Sequence, residues 1–375
     1  MPRLLFIAHG MGVNPPGWSH SIVDKLDEVT ARYDKFTGED KAFSSRVRIE
    51  EICYDPIFDK YILQWAKTLE ELRAFATNNA IDLGRTLTLL TDGTLPQDRS
   101  NVFWTTLIDP LFWRGSPIVR DDVTATVMAQ LARGISQHLD TLADGETLDV
   151  SVMSHSLGTT VMHDALAHLG SEPFEGNESL TSAKYQFDNF FTVANVSLLG
   201  PPPLVHIDPF TSVVRPKTAP PLASKLDPYC TRFYNFRHEF DPFAQWQPFK
   251  PTGWGKNFIV PGGINHVHDV NVHGYTHYLD HPIVNSAIIN RLIDLQAIPD
   301  AELKRTVAAY PRLAPPACNT AYTNMLSAFK ALCDTNFSSP GNLDEIIANG
   351  VAFYKAAKQG VDDCHGLVSS IPGIV

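Results

Sequence analysis

Ser156 follows an apolar run, Asp149-Val150-Ser151-Val152-Met153, and precedes a stretch in which Val161, Met162, Ala165, Leu166 and Leu169 recur at helical spacing. Between them lies Ser154-His155-Ser156-Leu157-Gly158, a small-x-Ser-x-Gly string at the junction of a strand and a helix. Such a turn lifts the serine hydroxyl out of the chain and forces its backbone toward positive φ, so the residues two before and two after must be small. Ser154 and Gly158 meet that demand, with serine standing where the commoner form of the motif has its first glycine. Ser154 fails the same test as a nucleophile, because its own neighbours at those places are Val152 and Ser156. The chemistry on offer is attack by the Ser156 hydroxyl on an acyl carbon.

A hydroxyl is a weak nucleophile at its own pKa, so this chemistry needs an imidazole to take the proton and a carboxylate to fix the imidazole tautomer. The expected order is serine, acid, histidine, each past the carboxyl end of a strand, and it selects Asp241 and His277. Asp241 follows an apolar strand and precedes Pro242. Glu239 is its nearest rival, whereas Asp208 falls in a proline-rich stretch and Asp188 begins a strand. For the base, His266, His268, His273, His277 and His281 compete. His277 is preferred for its place in a strand-to-helix loop before Tyr278 and Pro282, with His273 the runner-up and His266 and His268 expected inside a strand near Ile264 to Val272. Two histidines at i and i+2 on a strand share a face, as metal ligands can, but Asp269 and Val270 do not continue a metallohydrolase pattern. No metal and no other cofactor is expected.

The oxyanion of a tetrahedral intermediate needs preorganised N–H donors. Leu157, opening a helix, supplies one. The second is expected from the loop His9-Gly10-Met11-Gly12, with Met11 N–H as donor, His9 and Gly10 shaping the loop, and His155 flanking the serine.

These residues can meet only if strands deliver them to one edge of a sheet. Leu4 to Ala8, Val47 to Tyr54, Asp149 to Met153, Phe187 to Val196 and Cys230 to Phe236 read as strands, with helical spacing in Trp18–Tyr33, Phe58–Ala76, Arg120–Leu142 and Pro282–Leu295. That alternation predicts an α/β fold with a doubly wound, mostly parallel sheet over 1–298, followed by a helical extension, 299–375, packed on it. Residues 200–228 carry eight prolines without a period and are expected to form an insertion or lid. In the extension, Tyr322, Met325, Leu326, Phe329, Leu332 and Cys333 form one apolar face, expected to pack on the main domain.

The net charge of −11 opposes nucleic acid or an anionic membrane surface as a partner. No run reaches the roughly 18 apolar residues of a transmembrane span, and a strand beginning at Arg3 leaves no room for a signal peptide. Five cysteines without metal spacing suit reduced thiols, and a cytoplasmic protein is expected. Oligomeric state is not legible.

The Ser156 elbow, the His9-Gly10-Met11-Gly12 loop, the Asp241-Pro242 turn and the His277-Tyr278 loop resemble the α/β-hydrolase superfamily over roughly residues 3–295. Within it, Phe233-Tyr234-Asn235-Phe236-Arg237-His238-Glu239-Phe240-Asp241-Pro242-Phe243-Ala244 is similar to the acid loop of DDHD-type intracellular phospholipases, as Ser154-His155-Ser156-Leu157-Gly158 is to their elbow. The resemblance implies hydrolysis of a lipid-like ester, with Ser156, Asp241 and His277 as the matching triad. Aromatic and aliphatic residues in Phe103–Trp113 and Leu198–Phe210 favour an apolar acyl pocket. A thioesterase or acyltransferase would use the same triad, and a non-catalytic binding or scaffold protein would keep only the fold.

Overall fold

A computed structural model describes residues 2–10, 12, 14–37, 42–78, 117–169, 187–197, 230–246, 248–251, 255–266, 272–310 and 316–334, with isolated positions between 345 and 359. The expectations placed on Met11, His268, Phe103–Trp113 and the 200–228 insertion lie outside these residues.

Six strands, β1 (Arg3–Ala8), β2 (Arg48–Ile52), β3 (Asp149–His155), β4 (Phe187–Val193), β5 (Cys230–Phe236) and β6 (Phe258–Ile259), form one sheet in the order β2-β1-β3-β4-β5-β6. Every pairing is parallel. Parallel strands need crossovers, and among the described residues they run through α1 (His20–Thr30), α2 (Asp55–Asn78), α3 (Pro117–Leu139) and α4 (Leu157–Leu169). Because side chains alternate across a strand, Leu4, Phe6 and Ala8 of β1 join one core with α2, α3 and α4. Leu5 and Ile7 join the other core, with α1, α6 (Tyr275–Asp280) and α7 (Pro282–Leu292). Each fully buried leucine, isoleucine or phenylalanine contributes about 1.5–3 kcal/mol, so a sheet covered on both faces is rigid and leaves the loops at its carboxyl edge to carry function.

The strand order places the site. From β1 the chain moves outward to β2, then crosses back over β1 to β3, so the connections leave β1 and β3 in opposite senses. A crevice opens at the carboxyl ends of two strands so arranged. The loop after β1 and the turn after β3 flank it, and these are the His9-Gly10 loop and the Ser156 turn.

The sixth strand differs from expectation. Of the stretch expected as a strand near Ile264 to Val272, the described residues Ile264–His266 and Val272 are not strand, and 267–271 lie outside the described residues; the sheet edge next to β5 is the two-residue pairing Phe233↔Phe258 and Tyr234↔Ile259. Pro261 and Gly263, whose φ is +81°, turn the chain away before Ile264. Ile264 and His266 instead serve the loop after β5: the Ile264 carbonyl accepts from Glu239 N–H at 2.9 Å and the His266 carbonyl from His238 Nε2 at 2.9 Å.

Beyond Pro299, α8 (Asp300–Ala309) follows α7, and its Glu302 carboxylate accepts Asp34 N–H at 2.8 Å. Next, α9 (Pro316–Asp334) reaches the short helix α5 (Pro242–Trp246), where Phe329 packs edge-on against Phe243 with ring centroids 4.6 Å apart. Among the described residues no helix is long and apolar enough to cross a membrane.

Candidate active site

The turn predicted around Ser156 carries the strain the motif demands. Ser156 has φ of 52° and is one of two non-glycine residues with positive φ among those described. Its N–H is tied to the Val193 carbonyl at 3.0 Å, and its carbonyl accepts both Thr159 N–H (2.9 Å) and the Thr159 hydroxyl (2.6 Å). The residue two after it must be glycine for a measurable reason: a Cβ on Gly158 would lie 2.0 Å from the His9 carbonyl oxygen. Helix α4 therefore starts in direct contact with the end of β1. Ser154, in register between Ala8 and Thr192, is fully buried.

The loop after β1 approaches from the other side of the crevice. A Cβ on Gly10 would meet the Ser156 Cβ at 2.7 Å and His155 Nδ1 at 2.9 Å, so glycine lets the backbone pass directly over the serine. The loop is braced by the end of β2. Tyr54 stacks on His9 at 4.0 Å and donates its hydroxyl hydrogen to the His9 carbonyl at 2.5 Å. Asp55 accepts Asn14 N–H, and the Glu51 carboxylate accepts Gly17 and Ser19 N–H at 2.9 and 3.0 Å. Leu157, the first residue of α4, carries one of the N–H groups that a helix's own ladder leaves over. The structure thus sets Gly10 and Leu157 beside Ser156, with Met11 beyond the described residues.

The position between serine and acid belongs to His273, not His277. His273 Nε2 lies 2.8 Å from Ser156 Oγ and its Nδ1 lies 2.9 Å from Asp241 Oδ2. The reason is where α6 begins. Gly274 is its N-cap, so His273 stands in the loop facing the crevice, while His277 falls inside the helix, buried, with its ring edge-on to His238 at 5.2 Å. Glu239, the rival acid, is exposed enough to be set apart from this chain of contacts, its N–H anchoring the loop to Ile264.

Asp241 is completely buried, and burial alone would push its carboxyl pKa up. The His273 charge and hydrogen bond, the Tyr278 hydroxyl and the Ala244 N–H overcome that and hold it below its ordinary value. The carboxylate is therefore ionised and accepts only, which places the hydrogen of His273 on Nδ1 and leaves Nε2 as the acceptor of the Ser156 hydroxyl hydrogen. His155 sits against the same imidazole. Burial, then the neighbouring His273, pushes its pKa down to about 3, so it is neutral, and its Nε2–H donates to the His273 carbonyl at 2.6 Å while its ring stacks on Tyr275 at 4.8 Å.

An aromatic bed lies behind the histidine. Phe243 packs on the His273 ring at 4.5 Å, and is itself held by Phe329 at 4.6 Å and Phe353 at 5.4 Å, which touch each other at 5.0 Å. The helical extension thus supplies two residues immediately behind the site. Helical spacing of Phe329 marks a buried face in the sequence, but nothing local says that Phe243 is what it meets.

Ser156, His273 and Asp241 form a continuous hydrogen-bonded path along which a proton can leave the hydroxyl. Among the described residues no three His, Cys, Asp or Glu side chains are grouped to hold a metal ion. No family model, curated protein or solved structure matches the chain.

Proposed function

We propose that the chain is a serine hydrolase of the α/β-hydrolase type that cleaves a carboxylic ester with a lipid-like acyl group. The supporting observation is the path Ser156 Oγ, His273 Nε2, His273 Nδ1, Asp241 Oδ2, at 2.8 and 2.9 Å, on a strained turn at the sheet's carboxyl edge. In this reading Ser156 Oγ attacks the acyl carbon as His273 Nε2 takes its proton, and Asp241 stabilises the imidazolium. The oxyanion draws hydrogen bonds from Leu157 N–H and the Gly10–Met11 backbone. His273 returns the proton to the departing alcohol, and the acyl-enzyme is then cleaved by water activated by the same imidazole. The apolar bed of Phe243, Phe329 and Phe353 behind His273 makes that side of the site apolar, which suits a lipid-like acyl group.

A panel of p-nitrophenyl esters from acetate to palmitate tests the reading. Each methylene buried contributes about 0.8 kcal/mol, or about fourfold, so kcat/KM is expected to climb over the first several carbons and then level off. Absence of turnover across the whole panel contradicts the proposal. Release of acyl-alcohol product when glycerol is added would move the reading from hydrolase to acyltransferase.

A further inference from the structure

We propose that Tyr278 is a positioning residue of this site: its phenol fixes and tempers the Asp241 carboxylate, and through it sets how strongly His273 holds a proton. The inference deepens the serine hydrolase reading and rests on it.

Tyr278 and Asp241 are both fully buried, and the Tyr278 hydroxyl lies 2.7 Å from Asp241 Oδ2. The direction of that bond is fixed by a third group. His238 N–H donates to the Tyr278 oxygen at 2.9 Å, so the single phenolic hydrogen has the carboxylate as its acceptor. Burial first, then the Asp241 charge, raises the phenol pKa well above its ordinary value, so the donor persists through any assay pH. Asp241 Oδ2 is therefore shared between His273 Nδ1 and Tyr278, while Oδ1 takes Phe243 and Ala244 N–H at 3.0 and 3.3 Å.

The two donors to Oδ2 come from one short piece of chain. His273 precedes the Gly274 cap of α6, and Tyr278 lies inside that helix with its own N–H on the Gly274 carbonyl at 3.2 Å. A rigid turn thus presents base and phenol to the same oxygen. Other titratable groups surround them, among them His277, next to Tyr278 in α6 and edge-on to His238 at 5.2 Å. His238, on the loop after β5, gives Nε2–H to the His266 carbonyl and accepts Phe240 N–H at Nδ1, which makes it neutral. From β3, His155 is neutral. Arg237 acts on the Tyr278 phenol and Glu239 on His238, both through space from the acid loop.

The consequence has a sign. An oxygen that already accepts a phenol hydrogen stabilises an adjacent imidazolium less than one that does not. Tyr278→Phe leaves His273 as the only donor to Oδ2 among the described residues, so the imidazolium is held more firmly and the base becomes available only at higher pH. A residue that merely filled space would lower stability without moving this midpoint.

The test uses the full chain in wild-type and Tyr278→Phe forms, with two readouts. The acid limb of kcat/KM against pH for the best ester is expected to move up by about 0.5–1 pH unit, with kcat at the optimum falling about tenfold and KM little changed. The NMR titration of the His273 Cε1–H, identified by its loss in His273→Gln, should move in the same direction without any substrate. Should Tyr278→Phe fail to fold because His238 N–H loses its acceptor, replacement of Tyr278 by 3,5-difluorotyrosine, a stronger donor of the same shape, is expected to move the midpoint down. Unmoved midpoints overturn the role of Tyr278. An inactive wild-type chain overturns the hydrolase reading instead, and the two failures are told apart because the NMR titration needs no turnover.

Discussion

His273→Ala is expected to lower kcat/KM by about 10³–10⁵-fold, whereas His277→Ala should leave it within about tenfold of wild type. The first change removes the imidazole that lies 2.8 Å from Ser156 Oγ and 2.9 Å from Asp241 Oδ2. The second removes a buried ring that packs on His238, so its effect belongs to stability, about 1–3 kcal/mol, and not to proton transfer. The two variants separate cleanly if rates are measured well below their unfolding temperatures. A dead His277→Ala beside an active His273→Ala would reverse the assignment. Asp241 should behave as His273 does, since its carboxylate is what holds the imidazole hydrogen on Nδ1.

Gly158→Ala is expected to destabilise the chain by about 3–4 kcal/mol, at the upper end of what a single methyl group can do. The added Cβ would lie 2.0 Å from the His9 carbonyl oxygen and 3.3 Å from that of Ala8. Both neighbours are backbone at the end of β1, so no side chain can rotate away. Relief requires α4 to move off the sheet, which carries Leu157 and the Ser156 turn with it, so activity should fall in parallel. At about 2–4 °C per kcal/mol, the unfolding temperature drops by about 10 °C. Gly262→Ala is the matched control: a Cβ there meets nothing within 4 Å, and the change should stay within about 0.5 kcal/mol. Thermal unfolding of the three proteins checks this directly, and a Gly158→Ala variant as stable as Gly262→Ala would mean that strand and helix do not cross as described.

The sequence carried the local half of this site. A serine flanked by small residues at minus two and plus two, between a β-period run and an α-period run, states the steric rule that the structure obeys at φ of 52°. Parallel strands buried on both faces read directly from apolar runs such as Leu4–Ala8 and Phe187–Val193. The choice of base was not legible in the same way. It depended on how the chain runs past Gly263, at φ of +81°, and on where the next helix began, which the Gly274 cap decides. A helix of six residues has too few positions to show its phase, so His277 read as part of the strand-to-helix loop and was preferred over His273, the runner-up just past the expected strand. Contacts such as Phe243 with Phe329, or the hydroxyl of Tyr278 with Asp241, join residues whose separation along the chain leaves no periodic trace.

The central claim is that Ser156 is a nucleophile activated by His273. Reaction with an active-site fluorophosphonate, followed by peptide mass mapping, tests it most directly. One phosphonyl group on Ser156 is predicted in the wild-type chain, with none in Ser156→Ala and much slower labelling in His273→Ala. Labelling that persists in Ser156→Ala, or that maps to Ser154, contradicts the account.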